Sequence, residues 1–170
     1  MIDKELIKKL QDNKDYVQLE NYMDRLLEQN PYNIDGWLKL AVLVLIPGIA
    51  DYEKSIYCCE QALKVDPNHL DSLVLLGAIN HLAYGFIQTD VVERLYQVRT
   101  NDPDYESMIW LLKAWGIKDK KMIEDYEHAL ITSINFGPHH VLNYVNLASF
   151  YRVHMTDGYV YLLEKDIIRF

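Results

Sequence analysis

Four of the five prolines in this 170-residue chain stand at nearly equal intervals: Pro31, Pro67, Pro103 and Pro138, separated by 36, 36 and 35 residues. The fifth is Pro47. A fixed spacing of this size is what a stack of similar small units produces, each burying its apolar face against its neighbours. Function then becomes a question of which surface of the stack is left open.

Apolar residues recur at three- and four-residue steps almost everywhere, with no sustained alternation of period two. Breakers separate these stretches, among them Asp12-Asn13, Asn30-Pro31, Pro47-Gly48, Asp66-Pro67-Asn68, Asn101-Asp102-Pro103 and Gly137-Pro138. The pattern predicts about ten helices, near 3–11, 15–29, 33–46, 50–65, 69–83, 88–100, 104–116, 119–135, 139–153 and 157–168. No stretch has the composition of a linker, so the chain is expected to be one domain, 1–170. Its units fall near 1–31, 32–67, 68–103, 104–138 and 139–170.

Counted from each proline, the units align without gaps. Six, nine, ten and thirteen residues on stand Trp37, Leu40, Ala41 and Val44, then Leu73, Leu76, Gly77 and Asn80. The third and fourth units give Ile109, Leu112, Lys113 and Gly116, then Tyr144, Leu147, Ala148 and Tyr151. A small residue one place after the leucine lets a second helix approach closely, and the large residue fills the space between helices. Before Pro67, in YEKSIYCCEQALKVDP, the small residues Ser55, Cys59 and Ala62 lie at helical spacing.

These residues resemble the tetratricopeptide repeat. Trp37-x2-Leu40-Ala41 and Tyr144-x2-Leu147-Ala148-x2-Tyr151 echo the first-helix signature W-x2-L-G-x2-Y, and Ser55, Cys59, Ala62 and Pro67 resemble its second helix and closing proline. The family period is 34. The two additional residues here fall in the turn within the hairpin, as in LIPGIADY, and a 36-residue period also keeps the Sel1-like repeat in view as second choice. The resemblance implies an all-α, right-handed superhelix, an α-solenoid of about five antiparallel helix pairs, with the first helix of each pair lining the concave side.

Helical geometry then predicts a partner-binding stripe on those first helices, four, seven, eleven and fourteen residues after each proline. It comprises Asp35, Leu38, Val42 and Leu45; Asp71, Val74, Ala78 and His81; Ser107, Trp110, Ala114 and Ile117; and Leu142, Val145, Ser149 and Arg152. The stripe is apolar along its floor, with Asp35 and Asp71 at one rim, which suits an amphipathic helix or an extended apolar segment. Trp110 is the expected anchor. The Lys, Asn and Arg set with which some family members hold a C-terminal carboxylate is lacking. Tight winding of the repeats, or a final helix folded back, would instead bury the same stripe.

Net charge is −8. An acidic chain repels phosphate backbones, so no nucleic-acid partner is expected; Lys118, Lys120 and Lys121 read as a solvated helix start. The N-terminus has no continuous apolar core of the signal-peptide kind and no run is long enough to span a bilayer, so the expected setting is cytoplasmic, with no membrane partner. The adjacent Cys58 and Cys59 fit a reducing compartment, one thiol in the core and one facing the adjoining helix. Glycine-rich phosphate loops, G-x-S-x-G, H-E-x-x-H and C-x-x-C are all missing, so no catalytic residue and no cofactor are expected. No metal site is expected either: His139 and His140, being adjacent, should point in different directions on a helix.

The function these features favour is a non-enzymatic adaptor that captures an apolar or basic segment of another protein. Two alternatives stand beside it. One is a dedicated inhibitor, chaperone or immunity protein sequestering a single partner such as a basic toxin or secreted protein. The other is self-association, since the last helix ends in Ile167, Ile168 and Phe170 with little polar dressing, and would make a homodimer contact.

Overall fold

The computed structural model describes residues 4–117 and 122–154. Among them are nine α-helices and no strand: α1 (Lys4–Asp12), α2 (Tyr16–Gln29), α3 (Ile34–Leu43), α4 (Tyr52–Val65), α5 (Leu70–Tyr84), α6 (Thr89–Gln97), α7 (Pro103–Gly116), α8 (Ile123–Phe136) and α9 (Val141–His154). The chain is an all-α helical repeat. The helix expected at 157–168, with its apolar end, and the lysines at 118, 120 and 121 lie outside the described residues.

Where the chain starts and stops each helix follows from local chemistry. Asp15, Asn33 and Asp51 are N-caps, their side chains accepting from the amides of Gln18, Gly36 and Lys54 at 3.2, 3.0 and 2.9 Å. Asp102 caps α7, and Pro103 is that helix's first residue, where a missing amide hydrogen costs nothing. The other three repeating prolines stand in the turn before the helix instead. Two of them serve as acceptors: Trp37 Nε1 donates to the Pro31 carbonyl and Tyr144 Oη to the Pro138 carbonyl, both at 2.9 Å. In these two units the aromatic residue six places after the proline thus ties the helix back to its own entry turn.

Helices α3 and α6 each stop short of the ends the periodicity predicts, 46 and 100. Helix α3 stops at Leu43 because the chain turns through Pro47, Gly48 (φ 103°) and Ala50 (φ 48°) before α4. Helix α6 stops at Gln97 because Val98 is extended, and Arg99 Nη1 donates to the carbonyls of Tyr96 and Val98.

The helices form two compact units, Met1–Ala83 and Tyr84–Phe170. The break falls at the C-terminal end of α5, where Gly85 takes the left-handed conformation that stops a helix (φ 72°). In the first unit α1 packs on α2, α2 on α3, and α3 on α4. In the second, α6 packs on α7, α7 on α8, and α8 on α9.

The repeating positions form the core. Leu40, Ala41, Val44, Leu73, Asn80 and Ile109 are fully buried, and Trp37, Leu76, Gly77, Leu112, Lys113, Leu147, Ala148 and Tyr151 nearly so; Gly116 and Tyr144 are half-buried. Burying one such leucine contributes about 2 kcal/mol. Ser55, Cys59 and Ala62 are buried as well, and Ser55 Oγ donates to the Ala41 carbonyl at 2.7 Å, joining α4 to α3. A matching contact joins α7 to α8: Ser107 Oγ donates to the Ser133 carbonyl at 2.9 Å and Ser133 Oγ to the Ser107 carbonyl at 2.8 Å. Small hydroxyls do here what glycine or alanine does elsewhere, while satisfying the polar groups that close approach buries.

Candidate functional site

An open groove lies among the described residues of each unit. In the first unit its floor is Leu19 and Met23 of α2 and Leu38, Val42, Leu43 and Ile46 from α3 and its following turn. Ile7 and Gln11 of α1, Tyr16 and Lys39 make the walls, around a volume of about 660 Å³. Val42 is 55% exposed, so this apolar floor reaches solvent. Lys39 leans over one wall, its Nζ 2.6 Å from Asp35 four residues before it.

The groove of the second unit is smaller, about 290 Å³, and more polar. Asn146, Ser149, Phe150, Val153 and His154 of α9 line it, with Met122, Ile123 and Tyr126 at the start of α8 and Ile117 after α7. Tyr126 and Phe150 stack with centroids 5.2 Å apart, and burial pushes the Tyr126 phenol above its ordinary pKa. Trp115 Nε1 donates to Asn146 Oδ1 at 2.9 Å, which connects an indole to the groove wall.

The two grooves occupy the same place in the repeat. Positions eight, eleven, twelve and fifteen after the proline line both: Lys39, Val42, Leu43 and Ile46 in one, Asn146, Ser149, Phe150 and Val153 in the other. On the preceding helix, positions fifteen and twelve before the proline also recur, as Tyr16 and Leu19, then Ile123 and Tyr126. Each is an opening between successive first helices, closed below by the start of the second helix between them.

Several solved structures share this architecture. A crystal structure of MamA superposes with a TM-score of 0.74 at 15% identity, covering 97% of this chain and 93% of that one. MamA 41-end from Desulfovibrio magneticus RS-1 gives 0.73 at 12% identity, over 96% and 90%. YrrB, described as a TPR protein with an unusual peptide-binding site, gives 0.64 at 15% identity, over 95% and 82%. The fold is the tetratricopeptide-repeat fold. No protein-family model matches the sequence, and none of the curated proteins matches it.

Within this tetratricopeptide fold, the stripe expected from the sequence separates into three groups. Leu38, Val42 and Ser149 line grooves, as does Ile117. Asp35, Asp71, Leu142, Val145 and Arg152 are exposed and Leu45 and Ala78 half-buried, and none of them lines either groove. The half-buried His81 is likewise outside both, and burial pulls its imidazole below the usual range. Val74, Ser107 and Ala114 are buried in the packing of their own unit, so they are core positions with no surface to offer.

Trp110, the expected anchor, is half-buried and covered by its own chain. Lys113 Nζ lies 4.2 Å from its ring centroid, and His128 meets it edge-on at 5.9 Å. Lys113 itself replaces the small residue of the pattern. It is 3% exposed, and its ammonium sits between Trp110 and the Tyr96 ring, 5.0 Å away. Burial, and then the neighbouring Arg99, pull its pKa below the ordinary value, against a smaller opposing pull from Glu106.

The sequence missed the contribution of the preceding pair: Ile7, Tyr16, Leu19, Met23, Met122, Ile123 and Tyr126. The available signal was the recurrence of large apolar or aromatic residues twelve and fifteen places before Pro31 and Pro138. It also separated two histidines that the structure joins. His139 and His140 lie in the turn ahead of α9, not on a helix, with rings 4.3 Å apart, and both face Asp104.

Proposed function

We propose that this chain is a non-enzymatic protein-interaction module that takes an apolar or amphipathic segment of another protein into its grooves. The observation that carries this reading is the first groove: a continuous apolar floor from Leu19 to Ile46, open to solvent at Val42. Its volume is in the range that holds small ligands or a few side chains of a docked segment. Spaced apolar positions on adjoining helices suit an occupant with apolar residues at helical or alternate spacing. The net charge of −8 favours occupants with basic flanks and raises their rate of arrival. The peptide-binding site named for YrrB supports the same class of ligand.

Wild-type protein and Val42→Asp are compared on an array of short synthetic peptides of apolar, amphipathic and acidic composition. The wild type should retain a subset of apolar or amphipathic peptides, and Val42→Asp should release them with its helical circular dichroism unchanged. Identical retention by both proteins removes the first groove from the account.

A further inference from the structure

The turn that precedes α9 brings two imidazoles onto one carboxylate at the start of α7. His139 Nε2 lies 3.0 Å and His140 Nε2 3.5 Å from the same oxygen, Asp104 Oδ1. All three donor atoms lie within 4.8 Å of one another. Tetrahedral coordination at bond lengths near 2.0–2.1 Å sets neighbouring donors about 3.4 Å apart, and the two separations bracket that value.

The second imidazole is oriented from behind. Ser107, fully buried, gives its one hydroxyl hydrogen to the Ser133 carbonyl at 2.9 Å and accepts from Asn143 Nδ2 at 2.8 Å. Its remaining lone pair faces His140 Nδ1 at 3.1 Å, an arrangement that accommodates the tautomer with the hydrogen on Nδ1. In that neutral tautomer Nε2 holds a lone pair aimed at an anionic oxygen. Two lone pairs so placed repel, and a cation between them turns the repulsion into coordination. A hydrogen bond to the far ring nitrogen is also how metal-binding histidines have their tautomer and direction fixed.

We propose that Asp104, His139 and His140 form a binding site for a divalent transition ion of the zinc type. Two imidazoles and a carboxylate favour such an ion over the harder magnesium or calcium. The Asp104 and His139 side chains are 56% and 63% exposed, so water can complete the coordination. The N-terminus of α7 carries roughly half a positive charge, which opposes a cation. Asp102 and Glu106, each two residues from Asp104, add two full negative charges and outweigh it. The site lies at the N-terminal ends of α7 and α9, whereas Ile117 and Val153 of the groove lie at their C-terminal ends, so ion binding is separable from segment binding.

Chelator-treated full-length protein is titrated with cobalt(II), whose visible absorption reports tetrahedral coordination, and the cobalt is then displaced with zinc(II). One ion per chain is expected. Asp104→Asn and His139→Gln change exposed side chains and should fold normally while weakening cobalt binding at least tenfold. Ser107→Ala leaves all three ligands in place and should weaken it about tenfold, the effect of removing an orienting partner. A wild type without a stoichiometric cobalt band, or equally tight binding in the His139→Gln/His140→Gln double variant, overturns the assignment.

Discussion

Val42 and Ser149 occupy the same register, eleven residues after Pro31 and Pro138, and each lines the groove of its own unit. A branched apolar residue at this place opens a wide apolar trough, and a hydroxyl accompanies a narrower, more polar one. On the proposed reading, this scaffold position helps set the different character of the two grooves.

Ser149→Val should carry the character of the first groove to the second. The side chain is exposed, so stability should shift by no more than about 0.5 kcal/mol. Affinity of the second groove for apolar peptides should rise, read from the fluorescence of Trp115, whose indole bonds Asn146 in the groove wall.

Gly137→Ala should be among the costly single substitutions in the second unit. Its φ of −126° suits any residue, so the constraint is space. A Cβ there would meet Ser107 Oγ, come within 2.7 Å of Ser107 Cβ and 2.9 Å of His140 Nδ1. Overpacking of this kind costs about 1–3 kcal/mol, measurable as a lowered urea midpoint. The neighbours are a buried serine with bonds to three elements, so relief by a shift is limited.

Two lysines should give opposite pH signatures. Lys54 bridges α4 to α2, its Nζ 2.5 Å from Glu20 and 2.7 Å from Asp24. Burial pulls its pKa down, and hydrogen bonds and charge from both carboxylates carry it above the ordinary 10.5. Its contribution is present below 10.5 and is lost as pH rises through the raised value; Lys54→Met should cost about 1 kcal/mol at neutral pH. Lys113 has a lowered pKa, so the folded state releases its proton first. Stability should rise as pH climbs from that lowered value toward 10.5. Lys113→Met should remove this alkaline gain and be neutral to stabilising at pH 7, since lost cation–π attraction of about 1 kcal/mol is offset by the desolvation cost it relieves. Denaturant melts across the alkaline range check both signs.

The two cysteines should be silent in the native protein. Both are fully buried, and burial pushes each thiol up to about 12. Alkylation at neutral pH should proceed only with unfolding, at equal rates for Cys58 and Cys59. Rapid modification of either thiol in the folded state would contradict the burial.

The repeat was legible because its packing residues are spaced by a rule that survives translation along the chain. Leu40, Leu76, Leu112 and Leu147 are found by counting from a proline, and all are buried. The open face was harder to read. With positions nine and ten buried in every unit, position seven lies beside the buried tenth, and after Pro67 Val74 is drawn into the core with it. The groove positions eight, eleven, twelve and fifteen lie on the side away from that core, centred about 70° further round the helix than the stripe expected from the sequence. Turn conformation was not legible at all. His139 and His140 converge because Gly137 to His140 is a turn, and helical periodicity carries no information about side-chain directions there.

The most direct measurement is site-specific photocross-linking in extract of the cells that make this protein. A photoreactive residue is placed at Val42 in the groove floor, or at Glu60, exposed on α4 and outside the groove. A discrete cross-linked partner from position 42, absent from position 60 and competed by an array-selected apolar peptide, is the result expected. Equal cross-linking from both positions, or none from position 42, would contradict the groove as the binding surface.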